Sequence, residues 1–113
     1  MDSEGTNMLI ELREYTVRPG KRDEWVKMME TEIIPFQIQN GVVVLGSFVC
    51  DDNEGIYVWM RRFEDEADRV KKYEAIYESE HWKNVLLPKV GPLVDREKHR
   101  ITRLIPTKLS PMQ

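Results

Sequence analysis

The stretch that decides the fold is "ELREYTVRPGKRDEW", residues 11–25, in which an alternating pattern gives way to a helical one. Its first half places successive side chains on opposite sides of an extended chain, which is typical of a strand. Pro19-Gly20 then interrupts the strand, since proline removes a backbone donor and glycine permits a positive φ. The stretch predicts a strand over residues 8–17, a turn, and a helix whose first large apolar residue is Trp25.

The following segment, "KRDEWVKMMETEIIPFQIQNG" (21–41), carries large apolar residues at helical spacing. Pro35 lies inside this pattern, where a proline removes one helical hydrogen bond and clashes with the preceding turn. We therefore expect a kink or break at Ile34. A shorter second helical piece is predicted to end at Asn40-Gly41.

Two further strands are predicted in the middle of the chain. "VVVLGSFVC" (42–50) is apolar on both of its faces, which favours a strand covered from both sides. "DDNEG" (51–55) is a loop of turn formers, and "IYVWMRRF" (56–63) is the third strand. The glycine-serine pair at 46–47 is interpreted as a bend or bulge.

The second half begins with a helix in "EDEADRVKKYEAIY" (64–77), for which Asp65 is a plausible N-cap and Asp68 its capping-box-like partner. Residues 78–94 are expected to form one or two short helical pieces interrupted by Pro88 and Gly91-Pro92. A final strand is predicted over residues 96–105.

The predicted order is β-α-β-β-α-β, the split βαβ pattern of the ferredoxin-like fold, with an antiparallel sheet in the α+β class. The 113 residues suit a single domain. We assign this domain to residues 8–106, with an N-terminal extension at 1–7 and a C-terminal tail at 107–113.

Composition narrows the possible partners. The net charge of −3 argues against nucleic acid as the main partner, because phosphate binding requires a cationic surface. No apolar run approaches the ~20 residues of a membrane span. The start of the chain, "MDSEGTN", lacks the pattern of a secretory signal. The single cysteine, Cys50, suits a reducing compartment, and we expect a cytoplasmic protein.

The strands are apolar on both faces, although a lone ferredoxin-like domain covers only one sheet face with helices. A second copy packing sheet to sheet would cover the other face, so we expect a homodimer that forms a dimeric α+β barrel. The alternative is a monomer with an exposed aromatic patch, which proteins in water tend to avoid.

The faces are assigned with Ile10 and Leu12 toward the helices, which turns the opposite set of side chains toward the barrel interior. A one-residue register error would invert this assignment. The candidate ligand-binding residues of that interior are Glu11, Arg13, Tyr15, Tyr57, Trp59 and Arg61.

Aromatic walls with a few polar groups are typical of small-molecule pockets. A buried arginine requires a partner, either Glu11 or an anionic ligand. The alternative without a ligand is that Arg13 and Glu11 pair with each other and fill the space between subunits.

The chain also resembles a known family. "IELREYTVRPGKRDEW" is similar to the opening of NIPSNAP-family proteins, and "VWMRRFEDEADR" resembles their passage from strand to helix. "HWKNVLLPKVGPLV" and "TRLIPTKLSP" resemble later segments, so that the similarity runs from about Ile10 to Pro111. The resemblance implies the dimeric α+β barrel superfamily and little about activity, since bacterial members mostly lack an assigned reaction.

No spacing of histidine, cysteine and carboxylate residues indicates a metal site, and we expect neither a metal nor a cofactor. His81 and His99 are interpreted as surface or capping residues. Haem-degrading members of the superfamily use an asparagine, a tryptophan and a histidine. Asn7 and His81 suit two of these roles, but Phe63 stands where the tryptophan is expected, which argues against haem chemistry.

Three functions remain open, and the catalytic residues are unknown. The preferred one is binding of a small apolar or aromatic ligand without turnover. The second is a cofactor-independent monooxygenase or isomerase acting on an aromatic or quinol-type substrate in the same cavity, where Arg13 or Arg61 holds an anion, Tyr15 donates a hydrogen bond and Trp59 stacks. The third is a protein-interaction module, which predicts a barrel filled by side chains.

Overall fold

A computed structural model describes residues 8–113 of the chain. Its four strands are β1 Leu9–Val17, β2 Val43–Val49, β3 Ile56–Phe63 and β4 Val94–Leu104. They form one sheet in the order β2-β3-β1-β4, and every neighbouring pair is antiparallel. The predicted α+β class and β-α-β-β-α-β order are confirmed. The bounds of β3 agree with the prediction, whereas β4 begins two residues earlier than expected.

Helical segments connect β1 to β2 and β3 to β4. The first connection holds α1 Arg22–Met28, a π-helical turn Met29–Ile33 and α2 Ile34–Gln39. The second holds α3 Glu66–Tyr77, a π-helical turn Trp82–Leu86 and α4 Leu87–Val90. None of the helices in residues 8–113 is long and apolar enough to cross a bilayer.

A kink or break was expected at Ile34; the structure has no break there, although the regular α-helix is interrupted just before Ile34 and the shorter second piece begins at that residue. The helix continues through Ile34 and Pro35, and the preceding turn widens to the π form instead. Pro88 is accommodated in the same way, directly after the second π turn. A proline leaves the carbonyl four residues before it without a donor. That carbonyl belongs to Thr31 in one case and to Asn84 in the other, and both residues lie within the π turns.

The ends of the helices follow the predicted signals more closely. Asn40 ends α2, and Gly41 after it has φ +87°, a backbone conformation that favours glycine. Asp65 caps α3, because its side chain accepts a hydrogen bond of 2.8 Å from the Asp68 backbone N–H. The Asp68 carboxylate in turn accepts from the Glu64 backbone N–H at 2.9 Å, which is one residue before the position of a standard capping box.

The face assignment of the strands is wrong, and the structure inverts it. Trp25 of α1 packs edge-on against the rings of Tyr15 and Tyr57, with centroids 5.7 and 6.2 Å apart. Arg61 bonds to α2 and α3 rather than to the opposite face. The candidate residues therefore lie between the chain's own sheet and helices. Strand alternation separates two faces but does not say which one the helices cover, because here both carry large apolar residues.

Within the single chain β2 is an edge strand of the sheet with much of its length exposed, so its predicted coverage from both sides depends on the expected second copy and stays a prediction. Within residues 8–113 no helix covers the face of the sheet turned away from α1 and α3. We call this surface the open face. Its apolar members are Ile10, Leu12, Val43, Phe48, Ile56, Val58, Met60 and Leu104.

Candidate functional site

A cavity of about 370 Å³ lies between the sheet and the helices, and it is partly open to solvent. All three tryptophans of the chain line it. Its aromatic lining residues are Tyr15, Trp25, Trp59, Tyr73, Tyr77 and Trp82. Its aliphatic lining residues are Met29, Ile33, Val90 and Ile101. Its charged or titratable lining residues other than the tyrosines are Arg13, Arg96 and His99.

The two π turns shape the helical wall of this cavity. Trp25, Met29 and Ile33 recur every four residues and face the sheet together. In an α-helix such a stripe would drift by ~40° at each step, because the helix turns ~100° per residue. A wider turn within the stripe counters the drift. The second helical connection repeats the arrangement with Trp82 and the residues that follow it at four-residue spacing.

A bulge in β4 supplies the polar end of the cavity. Glu14 of β1 pairs with Arg100, but Thr16 pairs with Asp95, so that β4 holds extra residues opposite Tyr15. One of them, His99, stacks on the Tyr15 ring with centroids 4.1 Å apart. Such irregularities re-aim side chains toward sites of function.

A buried hydrogen-bond network lies behind the cavity wall. Arg61, which is fully buried, donates from Nε to Glu11 Oε1 at 2.9 Å. Its Nη1 donates to Gln37 Oε1 at 2.7 Å and to the Tyr77 hydroxyl at 2.9 Å. The second oxygen of Glu11 accepts a bond of 2.6 Å from the Tyr73 hydroxyl. The network ties β1 and β3 to both helical connections.

Arg13 joins this network to the cavity. Its Nη1 donates to Glu11 Oε1 at 3.1 Å, and its Nε donates to the Tyr15 hydroxyl at 2.7 Å. The Tyr15 hydroxyl also accepts a bond of 2.8 Å from Trp59 Nε1. In the part of the chain that the structure describes, neither Arg13 Nη2 nor the Tyr15 O–H has an acceptor. Both groups belong to residues of the cavity lining.

The charged form of Glu11 is strongly favoured. Burial alone would raise the pKa of this carboxyl, but Arg61, the Tyr73 hydroxyl and Arg13 together outweigh it and lower the pKa below its ordinary value of 4.5. The carboxylate is consequently ionised at neutral pH and holds the two guanidinium groups in place.

Two titratable groups of the cavity lining, His99 and Tyr15, are neutral at pH 7. Burial, followed by the positive charges of Arg13 and Arg96, lowers the pKa of His99 to about 4. Burial raises the pKa of Tyr15 above its ordinary value. At neutral pH the cavity therefore presents an uncharged imidazole and an uncharged phenol beside the Arg13 guanidinium.

Two ring nitrogens near the cavity are buried without a partner. Within residues 8–113, Trp25 Nε1 and His99 Nε2 have neither a hydrogen-bond partner nor contact with solvent. Leaving a buried polar atom unpaired costs ~1–3 kcal/mol. Both residues belong to the cavity lining, but these two nitrogens do not themselves reach its surface.

The structure separates the six predicted site residues into two groups. Arg13, Tyr15 and Trp59 line the cavity. Glu11 and Arg61 form the network behind it, while Tyr57 shares a hydrogen bond of 2.6 Å with Ser47. The pairing of Arg13 with Glu11 that was predicted as the alternative to a ligand is present as well, since their side chains form a salt bridge of 3.1 Å.

Comparison with known proteins places the chain. The family model NIPSNAP matches residues 10–111. The chain belongs to the NIPSNAP family. This agrees with the resemblance read from the sequence. Comparison with curated proteins finds no match.

Solved structures give the same result for this NIPSNAP protein. A NIPSNAP family protein from Agrobacterium tumefaciens superposes with a TM-score of 0.82 at 27% identity, covering 94% of this chain and 99% of its own. An uncharacterised NIPSNAP-like domain protein from Burkholderia xenovorans gives a TM-score of 0.83 at 24% identity, covering 94% and 90%. A second A. tumefaciens family member, described as of unknown function, gives 0.83 at 22% identity with 96% of each chain covered.

The histidine interpretation needs a correction in this NIPSNAP protein. His99 was expected at the surface or at a cap, but it lies half-buried on the inner face of β4 and lines the cavity. His81 is exposed and packs on the Phe36 ring with centroids 4.8 Å apart. Asn7 lies outside the described residues.

Sequence reasoning missed the helical half of the site. Trp25, Trp82 and Tyr77 belong to the lining, although the argument from strand alternation had no means of including them. One signal was available. The four-residue spacing that begins at Trp25 and again at Trp82 is longer than the α-helical period, which indicates a widened turn next to each tryptophan.

Proposed function

We propose that this NIPSNAP protein binds a small apolar or aromatic molecule in the cavity between its sheet and helices, and that it does so as a homodimer. The observation that carries the proposal is the cavity of about 370 Å³ with its largely aromatic walls. Ligand pockets measure ~300–1,000 Å³ and combine apolar walls with a few polar groups. A core built for stability alone would close such a space, because empty volume forfeits packing contacts.

Binding without turnover is favoured over catalysis by the protonation states at the site. General acid–base catalysis is most effective when the pKa of the catalytic group is near the working pH. His99 has a pKa of about 4, and burial raises the pKa of Tyr15. The alternative of a cofactor-independent monooxygenase or isomerase would be supported by quinol-dependent oxygen uptake above the uncatalysed rate. A protein-interaction module is less favoured, because a cavity of about 370 Å³ within a single chain suits a small molecule rather than a docked protein.

The homodimer is supported by the open face. Val43, Phe48 and Leu104 are 42%, 50% and 39% exposed there, on one contiguous sheet surface. Proteins in water rarely expose large apolar patches without a partner. Two twisted sheets pack face to face at a spacing of ~10 Å, which suits the open faces of two copies. The cavity lies on the other side of the sheet, so each subunit of the dimer would hold its own ligand.

The binding proposal is tested with N-phenyl-1-naphthylamine, a neutral aromatic probe whose own fluorescence rises in apolar surroundings. Ile101 lines the cavity and is 49% exposed, so that Ile101→Trp narrows the cavity without opening the core. We expect saturable probe binding by the wild type and at least ~tenfold weaker binding by this variant, a loss of ~1.4 kcal/mol.

The matched control is Ile105→Trp. Ile105 is 58% exposed and lies outside the cavity lining, so this variant should bind the probe as the wild type does. Equal weakening of probe binding in both variants would show that the probe binds outside the cavity. Absence of saturable binding to the wild type would count against the proposed function.

A further inference from the structure

The charges behind the cavity wall do not balance. Arg13 and Arg61 both bond to the same oxygen of Glu11, and one carboxylate neutralises only one of them. The phenols nearby do not supply a second negative charge, because burial raises the pKa of Tyr15 and of Tyr73. The buried cluster therefore carries one excess positive charge, an arrangement that costs several kcal/mol unless something compensates it.

The excess charge is presented to the cavity by Arg13. Arg61 is fully buried and lies outside the lining, whereas Arg13 belongs to it. Arg13 has five N–H donors, and its contacts with Glu11, Tyr15 and Tyr73 leave Nη2 without an acceptor among residues 8–113. The Tyr15 hydroxyl next to it accepts two bonds and keeps its own proton to donate.

The other charged residue of the cavity lining, Arg96, is also positive. Arg96 and His99 stand on β4 near Arg13, and none of the lining residues is acidic. His99 is neutral at pH 7, and its Nε2 has no partner in the described part of the chain. A ligand that enters this cavity therefore meets two guanidinium groups and no carboxylate.

We propose that the ligand of this cavity is a monoanion with an aromatic or apolar body, whose carboxylate or equivalent oxygen binds Arg13 and the Tyr15 hydroxyl. The inference rests on the proposed function and adds the charge of the ligand to it. Charge-assisted bonds to guanidinium are stronger than neutral ones and fix the position of a planar carboxylate. The tryptophans then enclose the body of the ligand, and the cavity volume suits a molecule of one or two rings.

The experiment compares 2-naphthoate, which is ionised at pH 7, with 2-naphthamide, which has nearly the same shape and no charge. Isothermal titration calorimetry of the full chain should give at least ~tenfold tighter binding of the naphthoate. Arg13→Met should remove this preference, so that the naphthoate binds no more tightly than the amide. The variant retains Glu11 and Arg61 as a one-to-one pair, so that the network behind the cavity persists.

Two further variants complete the test. Arg100→Met is the matched control, because Arg100 is exposed on β4 and pairs with Glu14 on the open face. It should leave both affinities unchanged. Arg96→Met removes the second guanidinium of the lining and should weaken the naphthoate by ~2–3-fold, which keeps the inference testable if Arg13→Met fails to fold.

The outcomes separate the two proposals. Equal affinity of the wild type for naphthoate and naphthamide overturns the monoanion inference and leaves the proposed function in place. Loss of naphthoate selectivity in Arg100→Met, rather than in Arg13→Met or Arg96→Met, also overturns it. Binding of neither molecule, with no saturable binding of the neutral fluorescent probe, overturns both.

Discussion

Two guanidinium groups converge on one carboxylate oxygen inside this NIPSNAP protein, and that oxygen belongs to Glu11. Arg61 also lies over the rings of Trp59 and Tyr73, each with its centroid 4.9 Å from the guanidinium carbon. The aromatic contacts add cation–π attraction. The negative charge of Glu11 is what makes burial of two cations tolerable.

Glu11→Gln should therefore destabilise the protein strongly. The substitution leaves two buried guanidinium groups without a carboxylate, and breaking a buried ion pair by removing one partner costs ~3–5 kcal/mol. Urea unfolding followed by tryptophan fluorescence measures the loss. Glu14→Gln is the control, because Glu14 lies on the opposite face of the same strand and should change the free energy of unfolding by less than ~0.5 kcal/mol.

The same variant should also respond differently to acid. The pKa of Glu11 is lowered in the folded state, so its stabilising contribution is fully present above the ordinary value of 4.5 and is lost as pH falls through the folded pKa. The wild type should thus lose stability more steeply than Glu11→Gln below about pH 4.5. Parallel stability curves for the two proteins would contradict the role assigned to this carboxylate.

At the residue scale, the sequence identified Arg13 and Tyr15 of the cavity lining but neither Arg96 nor His99. Alternation placed Glu11, Arg13 and Tyr15 on one face, and the structure agrees. His99 could not be found in this way, because a bulge in β4 decides its position and no periodic pattern encodes the length of a bulge.

At the scale of elements, the two π turns connect backbone geometry to the cavity. Each turn precedes a proline, and each lies in a helical stretch whose apolar residues recur every four positions. The pattern of the first stretch predicted a helix correctly. Of the kink or break expected at Ile34, the break did not form, since the wider turn provides room for the proline ring of Pro35 and for the carbonyl that it leaves unpaired.

Deletion of Glu30 from the first π turn should destabilise the protein by several kcal/mol. Removing one residue favours a regular α-helical turn, in which Trp25 and Ile33 still share a face because seven residues span ~700°. Pro35 would then lie inside a regular α-helix, where its ring clashes with the carbonyl four residues before it at a cost of ~3 kcal/mol. Glu30→Ala is the control, because Glu30 is exposed and its truncation should change stability by less than ~0.5 kcal/mol. Near-wild-type stability of the deletion variant would show that Pro35 does not need the wider turn.

At the scale of the whole molecule, the open face separates the monomer from the proposed dimer. Val58→Lys places a charge at the centre of this face, where a partner's sheet would exclude water, so the dimer should dissociate. Sedimentation velocity at micromolar concentration should report one subunit for this variant and two for the wild type.

Val70→Lys is the matched control for Val58→Lys. Val70 is 41% exposed on α3, on the helical side of the molecule, and its substitution should leave the dimer intact. A wild type that sediments as one subunit would remove the homodimer from the proposal. The cavity would remain, because it lies within a single chain.

The sequence by itself determined the element order, most of the element bounds, the family and the division of each strand into two sets of side chains. These properties follow from local patterns, namely strand alternation, helical spacing, caps and turn residues, all of which act within a few residues of the chain. Only the tertiary structure decided which set faces the helices and which set forms the open face. Both sets are apolar enough to be buried, so the choice depends on how Trp25 and the other helical side chains fit the sheet. That fit depends on contacts between distant segments, which no local pattern records.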